Sequence, residues 1–403
     1  MHIAIIGAGA AGCFAAANIP YKEGQQVTIL EKTGKVLQKV KVSGGGRCNV
    51  THACFDVPEL VTRYPRGKQL LRKSLYRFSP QDTVNWFEQR GVKLKTEDDG
   101  RMFPVTDSSQ TIIDCLWNEV MRNKGEILYH RSVERIEKTA DKFIIHFTDA
   151  PSVSADKVLI ACGGFPKKEQ YKWIEQLGHT IQPPVPSLFT FNIAKHPITE
   201  LMGVVVNNAT IKISGTKITE QGPVLITHWG LSGPAILRTS AWAARELQQR
   251  NYEFQVQLNW LGNVKEEELR ESFLQLRKDQ GKQLVQTKNP FSLPRRLWEY
   301  LLQQSGITNE VKWGELPASA QNKLIERLIR DTYQVKGKTT FKEEFVTCGG
   351  VTLSEIDPQT MESRKVPGLY FAGEILDVDG ITGGFNFQNA WSSGYIAAQN
   401  MIQ

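Results

Sequence analysis

The 403-residue sequence predicts an α/β protein: a doubly wound parallel sheet whose chain is split by a β-rich insertion carrying a small helical module. Three observations predict it. A β-branched run at the start leads into a Gly-x-Gly-x-x-Gly turn and an Ala-rich helix. A second strand, followed by glycine, an acid and another Ala-rich helix, closes the chain. Between them the apolar periodicity changes to strand alternation and then to helical stripes.

His2 to Gly7 (HIAIIG) reads as a buried strand, and Gly7-Ala8-Gly9-Ala10-Ala11-Gly12 as the turn into a helix. Gly7 permits the sharp turn, Gly9 lets backbone approach a pyrophosphate, and Gly12 lets the helix pack closely on the strand. The N–H groups at the helix start, Ala10 and Ala11 among them, face the phosphates with the positive end of the helix dipole. The next strand, Val27 to Leu30, ends in Glu31, nineteen residues beyond Gly12. An acid there accepts both hydroxyls of an adenosine ribose and disfavours a 2′-phosphate, which leaves FAD or NAD. Met1 to Ile19 is apolar enough to imitate a signal-peptide core, but it lacks the basic leader.

The other end of the chain chooses between the two. Leu369 to Ala372 reads as a buried strand, followed by Gly373-Glu374, an acidic loop with Asp377 and Asp379, the turn Gly383-Gly384, and a helix from about Asn386. A carboxylate after a strand accepts ribityl hydroxyls. A glycine-rich helix entry presents N–H groups to the N1/O2 edge of an isoalloxazine, where reduction places negative charge. NAD has no ribityl chain, so the two-ended arrangement selects FAD.

Lys39 to His52 (KVKVSGGGRCNVTH), Val158 to Gly164 (VLIACGG), Thr227 to Leu237 (THWGLSGPAIL), Thr347 to Val351 (TCGGV) and Gly368 to Glu374 (GLYFAGE) carry a resemblance over essentially the whole chain. The sequence resembles the single-FAD flavoproteins of the BaiN/YhiN type, a family that includes aminoacetone oxidases and proposed bile-acid reductases. The resemblance implies a glutathione-reductase-like FAD-binding Rossmann domain. It also implies FAD held by Gly7, Gly9, Gly12, Glu31 and Lys32, by Ser43, Gly44, Gly45, Arg47, Cys48 and Asn49 of one loop, and by Ala161 and Gly163. Gly373, Glu374, Gly384, Phe385 and Asn386 complete the implied set. Val133 joins them because it follows the region where a strand should meet the adenine; a core valine is the alternative. Cys162 replaces a more usual Thr, and Glu374 stands where many relatives carry Asp, which keeps the carboxylate.

The middle of the chain supplies the insertion. Strand-like runs occupy Leu188 to Trp260, interrupted by a helix that Gly233-Pro234 opens; Lys265 to Thr332 is helical in pattern. The expected division is therefore an FAD domain of 1–187 and 338–403, a β-rich insertion of 188–263 and a helical module of 264–337. In the first segment Ser79-Pro80-Gln81-Asp82 reads as N-cap, Pro at N1 and an acid at N3.

Composition narrows the function. Lys and Arg number 49 against 42 Asp and Glu, for +7, which suits anionic ligands without requiring nucleic acid. Six scattered cysteines give neither a zinc pattern nor a disulfide framework, so no metal is expected and a reducing cytoplasm is the simplest location. No run approaches the roughly 18 apolar residues of a membrane span. A second Gly-x-Gly-x-x-Gly and a Cys-x4-Cys redox pair are both missing.

The remaining candidates keep two readings each. Arg47 pairs with a cofactor phosphate, lies over the flavin, or is an ordinary ion-pair partner. Asn49 and Asn386 meet the isoalloxazine edge or cap turns, Cys48 is redox-active or an inert buried thiol, and His228 orients substrate or is structural. Arg63 to Arg77 carries six basic residues with no acid, as an anion- or RNA-binding stretch or a solvated helix face.

The expected function is an FAD-dependent oxidoreductase that moves hydride between a small organic substrate and flavin N5, as an amine oxidase or an NAD(P)H-linked reductase. Expected partners are that small molecule and NAD(P)H as a transient reductant, with no nucleic acid and no membrane. The rivals are a flavin-dependent RNA-modifying enzyme and a non-catalytic flavin redox sensor. No catalytic residue is assigned.

Overall fold

The computed structural model describes residues 1–339 and 346–403, which form two compact units, one from 1–187 with 346–403 and one from 188–339. In the first unit, β1 (His2–Ile6) leads through the glycine turn into α1 (Ala10–Ala17), and β2 (Gln26–Leu30) follows. Further along come α2 (Lys68–Leu75), β3 (Glu126–Leu128), β4 (Lys157–Ile160), β5 (Leu369–Phe371) and the closing helix α3 (Phe385–Met401). The five strands form one parallel sheet in the order β5-β4-β1-β2-β3.

The strands are apolar because both faces of this sheet are covered: Ile3, Ala4 and Ile5 are fully buried, as are Val158, Leu159 and Ile160. Strand order reverses at β1, with β2 on one side and β4 on the other. Ligands of open parallel sheets bind in the crevice at such a point, beyond the carboxyl ends of the strands. Phe14 of α1 packs against Trp391 of α3 at a ring separation of 5.1 Å, which joins the two ends of the chain.

Ser79 caps the helix Pro80–Glu88 in a capping box with Asp82, as its residue pattern predicts. Ile181–Ser187 pairs antiparallel with Val346–Val351. Among the described residues, no helix is long and apolar enough to cross a membrane.

The second unit holds a seven-stranded antiparallel sheet with the helix Pro234–Gln249 against it. The helices Glu266–Asp279, Arg295–Gln304 and Ala318–Ile329 follow. Two expected boundaries move. The helical pattern stops at Ile329, because Asp331–Lys336 alternates buried and exposed residues and pairs with Glu253–Asn259. The first unit does not resume at 338, because Lys338 and Thr339 pair with Phe191 and Thr190 inside the insertion. Single-residue polarity cannot reveal such pairings between distant parts of the chain.

Candidate cofactor site

The glycine turn shows three environments at three positions. Gly7 has φ +104°, and a Cβ there would lie 2.6 Å from the Cys162 Cα. A Cβ on Gly12 would lie 2.0 Å from the Gly7 carbonyl oxygen, so α1 and its strand meet backbone to backbone. A Cβ on Gly9 would meet nothing within 4 Å. Gly9 is the N-cap of α1 and no side chain caps it, which leaves an open cradle at the positive end of a helix.

Glu31 ends β2 and is buried, with its carboxylate already oriented. One oxygen accepts the Ala8 N–H at 3.0 Å; the other accepts the Thr33 N–H and hydroxyl, both at 2.8 Å. Arg131 N–H donates to the Glu31 carbonyl at 2.9 Å, which ties the segment leading to Val133 to the same corner. Val133 itself is half-buried and pairs with Phe147. Lys32 is exposed and its ammonium lies 5.6 Å from the Phe165 ring centre.

The carboxyl end of β4 carries Ala161, whose N–H donates to the Ile6 carbonyl at 2.9 Å, and Gly163 at φ +77°. Beside them Glu374 accepts the Thr347 N–H at 2.8 Å and pairs with the Lys39 ammonium. A Cβ on Gly164 would sit 2.5 Å from the Thr347 hydroxyl oxygen. That hydroxyl is buried and has no hydrogen-bond partner among the described residues. A buried hydroxyl left unpaired costs about 1–3 kcal/mol, so a polar group arriving at this corner gains by meeting it.

The Ser43 loop joins a helix end to a glycine turn. The helix from Gln38 ends at Ser43, and Gly44 and Gly45 take left-handed conformations at φ 58° and 68°. A Cβ on Gly45 would meet nothing within 4 Å, whereas one on Gly44 would strike Phe103. Arg47 has partners within the protein. Its guanidinium pairs with Glu97 at 2.6 Å and stacks on the Phe103 ring at 4.0 Å, the ordinary ion-pair alternative. Cys48 is fully buried, and burial pushes its thiol up to about 12.

Asn49 joins this loop to the last helix. With its side-chain amide oriented to satisfy both of its ends, the oxygen accepts the Gly384 N–H and the nitrogen donates to the Thr51 carbonyl, both at 3.0 Å. The Gly384 backbone is pressed on Thr51, whose carbonyl oxygen lies 2.6 Å from where a Cβ would sit. Asn386 clamps Gly380 through two hydrogen bonds, 2.8 and 3.0 Å, the turn-capping alternative. Phe385 is buried, stacked on His52 at 4.8 Å, with its carbonyl accepting the Tyr64 hydroxyl at 2.8 Å.

Gly373 serves packing: a Cβ would meet Ala11 of α1 at 2.9 Å, and its N–H donates to Ser393. His228 lies exposed in a turn of the second unit, its ring 4.1 Å from that of Trp229.

Thr33, Lys39 and Thr347 were not singled out from the sequence. Lys39 and Thr347 lie within motif blocks, whereas nothing local marks Thr33 as a neighbour of a carboxylate. Among the described residues no cluster of His, Cys, Asp and Glu could hold a metal ion. The uncapped helix start with an open approach, the oriented acid at the end of β2 and the orphaned hydroxyl together fit an extended dinucleotide lying across the carboxyl ends of the strands.

Comparison with known proteins agrees. The chain is 33% identical, over 99% of its length and 97% of the other's, to the ribosomal RNA dihydrouridine synthase of Escherichia coli K12. It is 30% identical, over 99% of its length and 98% of the other's, to the 3-dehydro-bile acid delta(4,6)-reductase of Clostridium scindens. Among solved structures, the 3-ketosteroid-delta4-(5alpha)-dehydrogenase of Rhodococcus jostii RHA1 shares the fold with a TM-score of 0.51. That match has 12% identity and covers 98% of this chain and 96% of the other. The model of the HI0933-like protein Rossmann domain matches residues 1–400, and the chain belongs to this HI0933-like family of FAD-binding oxidoreductases.

Proposed function

We propose that this chain reduces a carbon–carbon double bond conjugated to a carbonyl, and that its substrate is a uracil ring in RNA. The observation that carries the reading is full-length likeness to two proteins whose names describe one chemistry. One name describes saturation of a uridine ring, and the other reduction of a delta(4,6) unsaturation in a 3-dehydro bile acid. Both products arise when hydride and a proton add across a double bond that a carbonyl polarises.

Bound FAD, once reduced, supplies the hydride from N5. The chain's own residues hold and orient. The N-terminus of α1 at Gly9 to Ala11 takes the pyrophosphate, and Glu31, fixed by Ala8 and Thr33, takes the adenosine ribose. Glu374 and Thr347 take the ribityl hydroxyls. Gly45 and Gly163 let backbone approach the ring system, since neither position has protein within reach of a side chain apart from Glu374, 3.8 Å from a Gly163 Cβ. Lacking a second nucleotide fingerprint, the chain takes NAD(P)H only as a transient electron donor.

RNA is preferred to a small enone because the 33% relative is named for ribosomal RNA and because α2 presents an exposed basic face. The Clostridium scindens relative favours the second reading, a small 3-oxo enone. Anaerobic mixing of the photoreduced protein with unmodified ribosomal RNA transcript, or with 4-androstene-3,17-dione, separates them. Flavin reoxidation by the transcript, with a uridine heavier by two hydrogens in mass spectrometry, is expected. Reoxidation by the steroid alone would select the second reading, and reduction of oxidised flavin by amines would point to an amine oxidase.

A further inference from the structure

We propose that the exposed face of α2 is the surface on which RNA phosphates dock, with Tyr76 stacking a base at its end. The inference rests on the reading of RNA as substrate.

The helix is strongly two-sided. Leu70, Leu71, Ser74 and Leu75 are buried, while Lys68, Gln69, Arg72, Lys73, Tyr76 and Arg77 are exposed at the spacing of one helical face. No acid lies between Arg63 and Arg77, and among the described residues neither Arg72 nor Lys73 has an ion-pair partner. Arg77 donates to the Gln359 carbonyl, and Arg63 pairs with Glu59.

Cations in a last helical turn gain about 0.3–1 kcal/mol each from the helix dipole, which accounts for Arg72 and Lys73 as structural residues. It does not account for Tyr76, an aromatic ring 63% exposed beside them. A phenol ring among unpaired cations is what a single-stranded nucleic acid needs: counter-charge for its backbone and a face for a base.

The face also starts at the cofactor side of the unit. Arg66, the second residue before α2, pairs with Asp379 in the loop that leads to α3, and a Cβ on the intervening Gly67 would strike Val378 at 2.6 Å. The first turn of α2 is thereby held against the loop that opens the closing helix. RNA bound along α2 has one end beside the loop that connects Glu374 to α3.

The test uses the full-length flavin-loaded protein and its R72A/K73A and Y76A variants, with in-vitro-transcribed ribosomal RNA titrated between 50 and 300 mM salt. R72A/K73A is expected to keep its flavin and to bind about tenfold more weakly at low salt. Its slope of log affinity against log salt should fall by about 1.5, as two lost phosphate contacts require. Y76A should weaken binding by about fivefold with the salt slope unchanged.

An unaltered salt slope in R72A/K73A would overturn the assignment, as would loss of flavin together with RNA. So would a requirement for these two residues in binding phosphatidylglycerol vesicles but not RNA. Wild-type protein that neither binds nor reduces the transcript removes the RNA reading and this surface with it. Wild-type protein that does both while the variants match it removes this surface alone.

Discussion

Arg66 and Asp379 form a two-point ion pair across 313 residues of sequence, and the Asp379 side chain is completely buried. Burial pushes the Asp379 carboxyl up from its usual range, against the pull of Arg66 and of the Ser187 hydroxyl, which donates to it at 2.9 Å. The pair divides the basic stretch in two: Arg66 is a structural residue, and the exposed residues of the stretch, Lys68, Arg72, Lys73 and Arg77 among them, lie beyond Gly67. Removing one partner of a buried pair leaves the other charge unpaired, whereas removing both does not.

Asp379→Asn should therefore destabilise the protein by about 3 kcal/mol. The double variant Arg66→Met/Asp379→Leu should recover at least half of that. Urea unfolding followed by tryptophan fluorescence measures both, and a double variant no better than the single one would contradict the account.

Gly9 and Gly12 should behave oppositely despite their common motif. Gly9→Ala adds a methyl group that meets no protein atom within 4 Å, so thermal stability without FAD should hold while FAD affinity falls about tenfold or more. Gly12→Ala places its methyl group 2.0 Å from the Gly7 oxygen and should cost the fold itself. Equal loss of apoprotein stability in the two variants would remove the distinction.

Thr347→Val should leave the apoprotein unchanged or slightly more stable, because the hydroxyl it removes is buried without a partner among the described residues. FAD affinity should drop about fivefold, with Thr347→Ser restoring most of it. Isothermal titration of apoprotein with FAD reads the difference, and undiminished affinity in the Val variant would show that the hydroxyl meets no cofactor atom.

Glu355 predicts an acid-sensitive contact. Burial would raise its carboxyl, but the Lys365 ammonium and the Thr180 N–H outweigh that and lower it from 4.5 to about 2. A depressed carboxylate stabilises the folded state above its unfolded pKa, and the contribution fades as pH falls from about 4.5 toward 2. Glu355→Gln should lower the melting temperature at pH 7, with the gap to wild type shrinking below about pH 4.5 and nearly closed by about pH 2. A constant gap across that window would locate the effect elsewhere.

Cys48 should resist iodoacetamide in the native protein at pH 8, because burial holds its thiol up at about 12. Mass spectrometry after brief labelling checks this, and Cys48→Ala should still take up FAD. Rapid native labelling would return the thiol to the list of candidate redox groups.

The amino-acid sequence alone determined the parts of this protein that rest on neighbouring residues. The turn at Gly7, Gly9 and Gly12 and the acid at Glu31 depend on local backbone demands and short spacing, as do the Ser79 capping box and Pro234 at a helix start. They are legible because the reason for each lies within a few residues of it. Only the tertiary structure decided which polar groups find partners within the protein. Arg47, Asn49 and Asn386 carry the right chemistry for a flavin, and the fold also gives each a partner in the protein: Glu97, Thr51 and Gly380. Thr347 reads as an ordinary strand residue, yet burial without a partner singles it out. Hydrogen-bond satisfaction depends on groups brought together from distant parts of the chain, and the end of the insertion, at Asp331–Lys336 and Thr339, was set by the same long-range pairing.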